Sequence, residues 1–353
     1  MKGFRNLSPM SIQLSPGLNM FVGNNAQGKT NFLEAIYMCS TGRSHRANTD
    51  REIIGYSETD AYIQAFVRSN NSRGKINIHL HKNNKKGIAI DGLPIKKLGQ
   101  LFGKLLTVIF SPEDLQLVKA GPSERRRFMD VELCQISKVY YYELQQYYHV
   151  LKQRNNLLKS IRTTNMLRDT VSIWDDQLVS HGIKVIAHRQ GFVDRLSQLA
   201  QGAHARLSNG REGLLLSYRP STLPDDFSLR LINGLERDIA MGSTSVGIHK
   251  DDIIFKINEE DLRIYGSQGQ QRTAALATKL AEVELMTERK QTSPVLLLDD
   301  VLSELDEERQ RSLIRNIESI QTIMTGTNAD INLPSIEFKL YMVENGEIWE
   351  ESM

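Results

Sequence analysis

Cysteine is nearly missing from this 353-residue chain, and neither Cys39 nor Cys134 has a second cysteine or a histidine at a metal-ligand spacing. Both read as buried thiols and not as ligands. Long apolar runs are missing too: Leu105 to Phe110 and Val295 to Leu298 fall far below the roughly 18 residues that cross a bilayer, and no charged-then-apolar leader opens the chain. The expectation is a cytosolic protein with no membrane partner. There is no excess of one charge either, since 44 basic residues face 42 acidic ones and the net charge is +2. That is too small to name a polyanionic partner, so any polyanion site must be a local patch. What is present is 40% hydrophobic and 24% charged residues, the balance of a soluble globular protein. The length predicts two lobes, and no internal repeat or low-complexity tract interrupts it.

Along the chain, Leu18 to Val22 predicts a short strand ending in a glycine loop, and Lys29 to Cys39 follows with helical spacing in Phe32, Ile36 and Cys39. Alternating segments at Ala61 to Val67, Lys75 to His81, Gly87 to Ile90 and Leu105 to Phe110, divided by turns such as Asn70-Asn71-Ser72, predict an antiparallel sheet beside that loop. From Ser123 to Ser208 glycine and proline almost vanish, and a 3.6-residue periodicity predicts long helices near Ile136 to Arg162 and Ser172 to Leu207, packed as a hairpin. Heptads are not sustained long enough for a coiled-coil arm. A short strand at Leu214 to Tyr218 and another helix lead back to an α/β pattern. Its elements are strand Asp252 to Ile257, helix Gln268 to Lys290, strand Pro294 to Leu298, helix Glu307 to Ile317, and strands near Thr322 and Ile336 to Tyr341.

Three motifs carry chemistry. Gly23-Asn24-Asn25-Ala26-Gln27-Gly28-Lys29-Thr30 satisfies the eight-residue P-loop pattern between a strand and a helix. In such a loop, backbone N–H groups and the helix N-terminus cradle phosphates, Lys29 reaches the β- and γ-phosphates, and the Thr30 hydroxyl ligates Mg²⁺. The alternative, a glycine turn with an accidental lysine, is set aside by the strand–loop–helix setting. Much later, the apolar run Val295 to Leu298 ends in Asp299-Asp300. After such a strand the first carboxylate completes the Mg²⁺ shell and the next orients the attacking water, so Asp299 takes the metal and Asp300 the water. Taken alone, the pair also fits a turn or a helix cap. Third, Tyr265-Gly266-Ser267-Gln268-Gly269-Gln270 precedes the helix before that strand, and its residues read equally as a helix cap by Ser267 or as a second anion-binding surface.

These motifs in this order, followed by Ser303-Glu304-Leu305-Asp306, resemble the head of the ABC ATPases. The resemblance implies that the P-loop of one subunit and the signature motif of a second close on one ATP, with Ser267, Gly269 and Gln270 facing the partner's γ-phosphate and residues 303–306 crossing the interface. The phrases at Thr41 to Arg46, Phe110 to Leu115, Arg125 to Phe128 and Gly247 to Asp252 narrow the likeness to the RecF family of recombination mediators, over nearly the whole chain. That likeness implies an ATP-dependent homodimer that binds gapped DNA near single-strand/double-strand junctions. It would work with the RecO and RecR proteins to help load RecA; ATP hydrolysis with Mg²⁺ is expected to be DNA-stimulated, and slow because Asp300 is short. This sequence departs from the wider pattern at several places. Ala26 stands where many heads have glycine, Gln268 breaks the transporter-type signature, and Asp300 is a methylene shorter than the usual glutamate. No histidine lies near Met324 to Asn328, Glu113 sits about where a Q-loop glutamine would, and Arg5 is a possible nucleotide contact.

The expected architecture is an α/β, ABC-ATPase-type P-loop head with an inserted, mostly helical lobe: residues 1–112 and 241–353 form the head and 113–240 the lobe. Lys82, Lys85 and Lys86, Arg43 and Arg46, and Arg125 to Arg127 read either as phosphate contacts or as solvated surface. The tyrosines at 140–142, 147 and 148 read as core before they read as a base-stacking platform, and His249 as part of a polar network. Other classes remain open at this point. A transporter's nucleotide-binding subunit would lack the long insertion, a cohesin-like head would need coiled-coil arms, and a scaffold without significant hydrolysis would ignore substitution of Lys29.

Overall fold

The computed structural model describes residues 1–69, 72–162, 165–327 and 337–351. Its centre is a six-stranded sheet in the order β13-β12-β1-β11-β10-β6. These strands are β1 (Leu18–Val22), β6 (Thr107–Phe110), β10 (Val295–Leu298), β11 (Thr322–Gly326), β12 (Phe338–Glu344) and β13 (Glu347–Glu351). All pair in parallel except β13, which closes one edge antiparallel to β12. The inner strands are covered on both faces, which explains why β1, β6 and β10 are mainly apolar runs without alternation. Along β10, Leu296 and Leu298 enter one core and Leu297 the other; in β6, Val108 and Ile109 divide the same way.

One core lies under an antiparallel sheet of β2 (Asp60–Ser69), β3 (Ser72–His81), β4 (Gly87–Ile90) and β5 (Leu93–Pro94), with helix α1 (Lys29–Thr41) packed against it. The expected antiparallel sheet is therefore present, with one correction: Thr107–Phe110 is not a member. It pairs in parallel with Val295–Leu298, because a run apolar at successive positions suits a strand buried on both faces. Strand β13 carries Glu347, Glu350 and Glu351 and went unpredicted. The turn at Asn70-Asn71 and the start of the strand expected at Ile336 lie outside the described residues.

The other core joins the second face of the central sheet to the helices. These are α2 (Gln116–Lys119), α3 (Pro122–Ile136), α4 (Lys138–Ile161), α5 (Val171–Leu207), α6 (Phe227–Asn233), α7 (Leu235–Met241), α8 (Leu262–Tyr265), α9 (Gln268–Lys290) and α10 (Glu307–Ile317). Helices α4 and α5 form the predicted hairpin, and α5 also packs along α9. A small sheet of β7 (Leu214–Arg219), β8 (Asp252–Ile257) and β9 (Glu260–Asp261) pairs residues on either side of position 240, so that line passes through a hydrogen-bonded sheet.

Buried arginines tie these parts together. Arg189 of α5 reaches Asp130 of α3 at 2.7 Å, Asp251 at 2.8 Å and the Ile248 carbonyl at 2.7 Å. Arg154 of α4 binds Asp175 at 2.5 Å and Asp238 at 2.7 Å. Arg125, one of the sequence's candidate phosphate contacts, is 3% exposed and paired with Asp252 at 2.6 Å. It is a buried structural ion pair, neither a phosphate contact nor solvated surface. Among the tyrosines, Tyr140 and Tyr147 are core, whereas Tyr142 and Tyr148 are exposed.

His249 belongs to the expected polar network: Nδ1 lies 2.9 Å from the Tyr147 hydroxyl and Nε2 3.0 Å from the Thr244 carbonyl oxygen. Burial pulls its imidazole down to about 4 from an ordinary 6.5. The folded protein therefore holds it neutral where the unfolded chain takes up a proton, so stability is lost as pH falls from 6.5 toward 4. The shift corresponds to ~3 kcal/mol over that window. Urea denaturation at a series of pH values should show a shallower acid loss in His249→Gln than in the unaltered protein.

Candidate functional site

The site lies at the C-terminal ends of the parallel strands, where β1 hands over to α1. Two glycines of the loop are fixed by geometry. A Cβ at Gly23 would sit 2.1 Å from the Val343 carbonyl oxygen, and Gly28 has φ +120°, a conformation that side chains rarely adopt. Ala26, where many heads have glycine, also takes a positive φ of 65°. The loop is braced from outside by Asn6, which donates to the Ala26 carbonyl at 3.3 Å, and by Gln27, whose side-chain oxygen accepts from Asn345 N at 2.5 Å.

Lys29 folds back into this loop and donates to the carbonyl oxygens of Gly23 at 2.5 Å and Asn24 at 2.8 Å. Burial draws its ammonium below the ordinary value, against the opposing pull of Asp300 and Asp299. Thr30 Oγ1 donates to Asp299 Oδ1 at 2.8 Å. The motifs at 23–30 and 299–300 thus meet although some 270 residues separate them, because β10 lies two strands from β1 with β11 between them. Asp299 is 6% exposed, and burial raises its pKa in spite of the hydroxyls that stabilise its charge. Asp300 turns through φ 52° directly after it.

Thr325 escaped the sequence reading. Its hydroxyl donates to Asp299 Oδ1 at 2.8 Å and accepts from Asp300 N at 2.9 Å, so it positions both carboxylate residues. It lies in the stretch Met324 to Asn328, which carries no histidine. The signal that could have found it is its place at the C-terminal end of a parallel strand, where α/β sheets build their sites. Arg46 and Glu113 lie close enough for their charges to act on Asp299, which brings two further candidates to the site. Arg5, the possible nucleotide contact, makes two bonds to buried Glu34, at 2.9 and 3.0 Å, and one to the Glu52 carbonyl.

Ser267, Gly269 and Gln270 stand at the start of α9. The cap foreseen for Ser267 is formed: its Oγ accepts from Gln270 N at 3.2 Å while its own N–H donates to Gln270 Oε1 at 2.8 Å. Gln270 also donates to Glu212 at 2.8 Å. The serine remains exposed, beside Ile264 and Tyr265 that are 67% and 69% exposed. Of the basic clusters, Lys86 is engaged with the Gly42 carbonyl and Asp50, Arg126 with the Asp251 carbonyl, and Arg127 with that of His45.

The loop offers backbone N–H groups and a lysine to an anion, and the paired oxygens of Thr30 and Asp299 suit a hard cation such as Mg²⁺. With the doubly covered sheet and the inserted helices, this defines an ABC-type P-loop ATPase head carrying a mostly helical lobe. Comparison with known proteins agrees. The model of the RecF/RecN/SMC N-terminal domain matches residues 1–347. A DNA replication and repair protein RecF from Lachnoclostridium phytofermentans is 47% identical over 350 residues, 99% of this chain and 97% of that protein. A solved structure of the recombination mediator protein RecF with ATP, from the RecFOR pathway, superposes with a TM-score of 0.93 at 35% identity, covering 99% of this chain and 96% of that one. An Smc head bound to the C-winged helix domain of ScpA shares the fold, with a TM-score of 0.58 at 15% identity over 100% of this chain and 96% of its own. The chain belongs to the RecF family of DNA replication and repair proteins.

If Thr325 holds Asp299 in place, Thr325→Val should weaken Mg²⁺-dependent nucleotide binding by about five- to tenfold, the ~1 kcal/mol of a hydrogen bond in such a site. Isothermal titration with a non-hydrolysable nucleotide reads this directly. Binding in the absence of Mg²⁺ should change much less.

Proposed function

We propose that this chain is an ATP-dependent DNA-binding protein of recombinational repair. In this reading ATP joins two copies, and their lobes clamp gapped DNA at single-strand/double-strand junctions. The observation that carries it is the junction of Lys29, Thr30 and Asp299 within a chain matched end to end by a DNA repair family. In the bound state Gly23 to Thr30 surround the phosphates and Lys29 leaves the Gly23 and Asn24 carbonyls for them. Thr30 and Asp299 would hold a Mg²⁺ ion, which would supply neutralisation of phosphate charge. Asp300 orients the attacking water.

The exposed cap of α9 supports the second half of the reading. Ser267, Gly269 and Gln270 present a helix N-terminus to solvent, and the apolar side chains of Ile264 and Tyr265 beside it are the kind a second copy would cover. Hydrolysis is proposed to be slow and DNA-stimulated, a timer for release, since Asp300 is shorter than the glutamate usual in such heads. The RecFOR pathway named for the ATP-bound neighbour supports RecO and RecR as partners, and the outcome proposed for them is help in loading RecA.

The test follows dimer mass and the salt dependence of binding to a gapped duplex, with and without ATP. ATP should produce a dimer with tighter DNA binding, and both Lys29→Met and Ser267→Arg should abolish that gain. DNA binding that ignores nucleotide, with no dimer, would instead point to a scaffold or a transporter-like subunit. Asp300→Asn separates hydrolysis from clamping: turnover should fall by roughly a hundredfold or more, while the ATP-dependent dimer persists and releases DNA more slowly.

A further inference from the structure

Away from the nucleotide site, the antiparallel sheet carries a second constellation of ligand-type side chains. Strands β2 and β3 bury Ala61, Ile63, Ile76, Ile78 and Leu80 on one face, so the alternate residues share the outer face. Asp60 pairs directly with His81, and His79 is the next residue of that face along β3. His79 Nε2 lies 3.6 Å from Asp60 Oδ2, and the two imidazole centroids are 4.3 Å apart with planes inclined at 55°. One donor atom from each of the three residues falls within 4.8 Å of the other two.

We propose that Asp60, His79 and His81 form a surface site for a zinc-class divalent cation, the remaining position being taken by water. Bonds of about 2.0–2.1 Å in a tetrahedron put neighbouring ligand atoms roughly 3.3 Å apart. The His79–Asp60 separation is already close to that, and the rest needs side-chain rotation without backbone movement. Two imidazoles and one carboxylate select Zn²⁺ and its neighbours over Mg²⁺ and Ca²⁺, which take oxygen donors. The nearby ammonium of Lys82 does not occupy the site: it donates to the carbonyl oxygens of Tyr56 at 3.1 Å and Gly55 at 3.4 Å. A bound cation would tie the first residue of β2 to the last of β3, pinning the open end of the hairpin at the edge where Lys2 bridges to Tyr62.

The experiment titrates Zn²⁺ into the full chain in excess Mg²⁺, which keeps the Thr30–Asp299 pair from competing. One equivalent should bind in the micromolar range, and His79→Ala and His81→Ala should each weaken it at least tenfold while leaving nucleotide binding unchanged. In the unaltered protein, Zn²⁺ should move the imidazole NMR signals of His79 and His81 and not those of the other six histidines, a readout that does not depend on the variants folding. Equal affinity in the variants, shifts at other histidines, or no binding by the unaltered chain overturns the assignment.

Discussion

The carboxylate of Asp299 accepts hydrogen bonds from Thr30 and Thr325, and the arrangement of the site follows from that contact. It is the point at which α1, β10 and β11 are held in register with one another at their functional ends. Burial makes the carboxylate's charge costly there, and two hydroxyls only partly offset the cost. A buried carboxylate of this kind has the chemistry a divalent cation would stabilise. The same logic applies to Lys29, which in the meantime is satisfied by loop carbonyls.

Much of this was legible in the residues. Helix α9 and strand β8 follow from periodicity and turn chemistry at the expected limits, because their patterns are local. The P-loop is legible because only a strand–loop–helix setting gives its glycines their purpose. Thr107–Phe110 was assigned to the wrong sheet for a physical reason: a short apolar run tells how deeply a strand is buried but not which strand it pairs with. Arg125 misled for a similar reason. A triplet of arginines looks solvated in sequence, and only the fold brings Asp252 to the first of them. Thr325 carries no motif, so its role emerges only when β11 is laid between β1 and β10.

The lobe and the head share more than a hinge. Helix α5 lies along α9, and Arg189 and Arg125 reach from the helical part to the residues that open β8. Ion pairs this deeply buried cost much when one partner is removed, and so they hold the helices to the head in one orientation. Helix α9, capped by Ser267, is thereby packed against α5 and through it connected to the hairpin of α4 and α5.

Strand β1 is flanked on both sides by strands from the far end of the chain, β11 and β12. A ribosome therefore makes the middle of the sheet first and its neighbours last, with about 300 residues to be added in between. At about 5–20 residues per second, that leaves an apolar strand with two open edges for tens of seconds. The contact of Thr30, Asp299 and Thr325 forms only after β11 has been made, roughly 300 residues after β1.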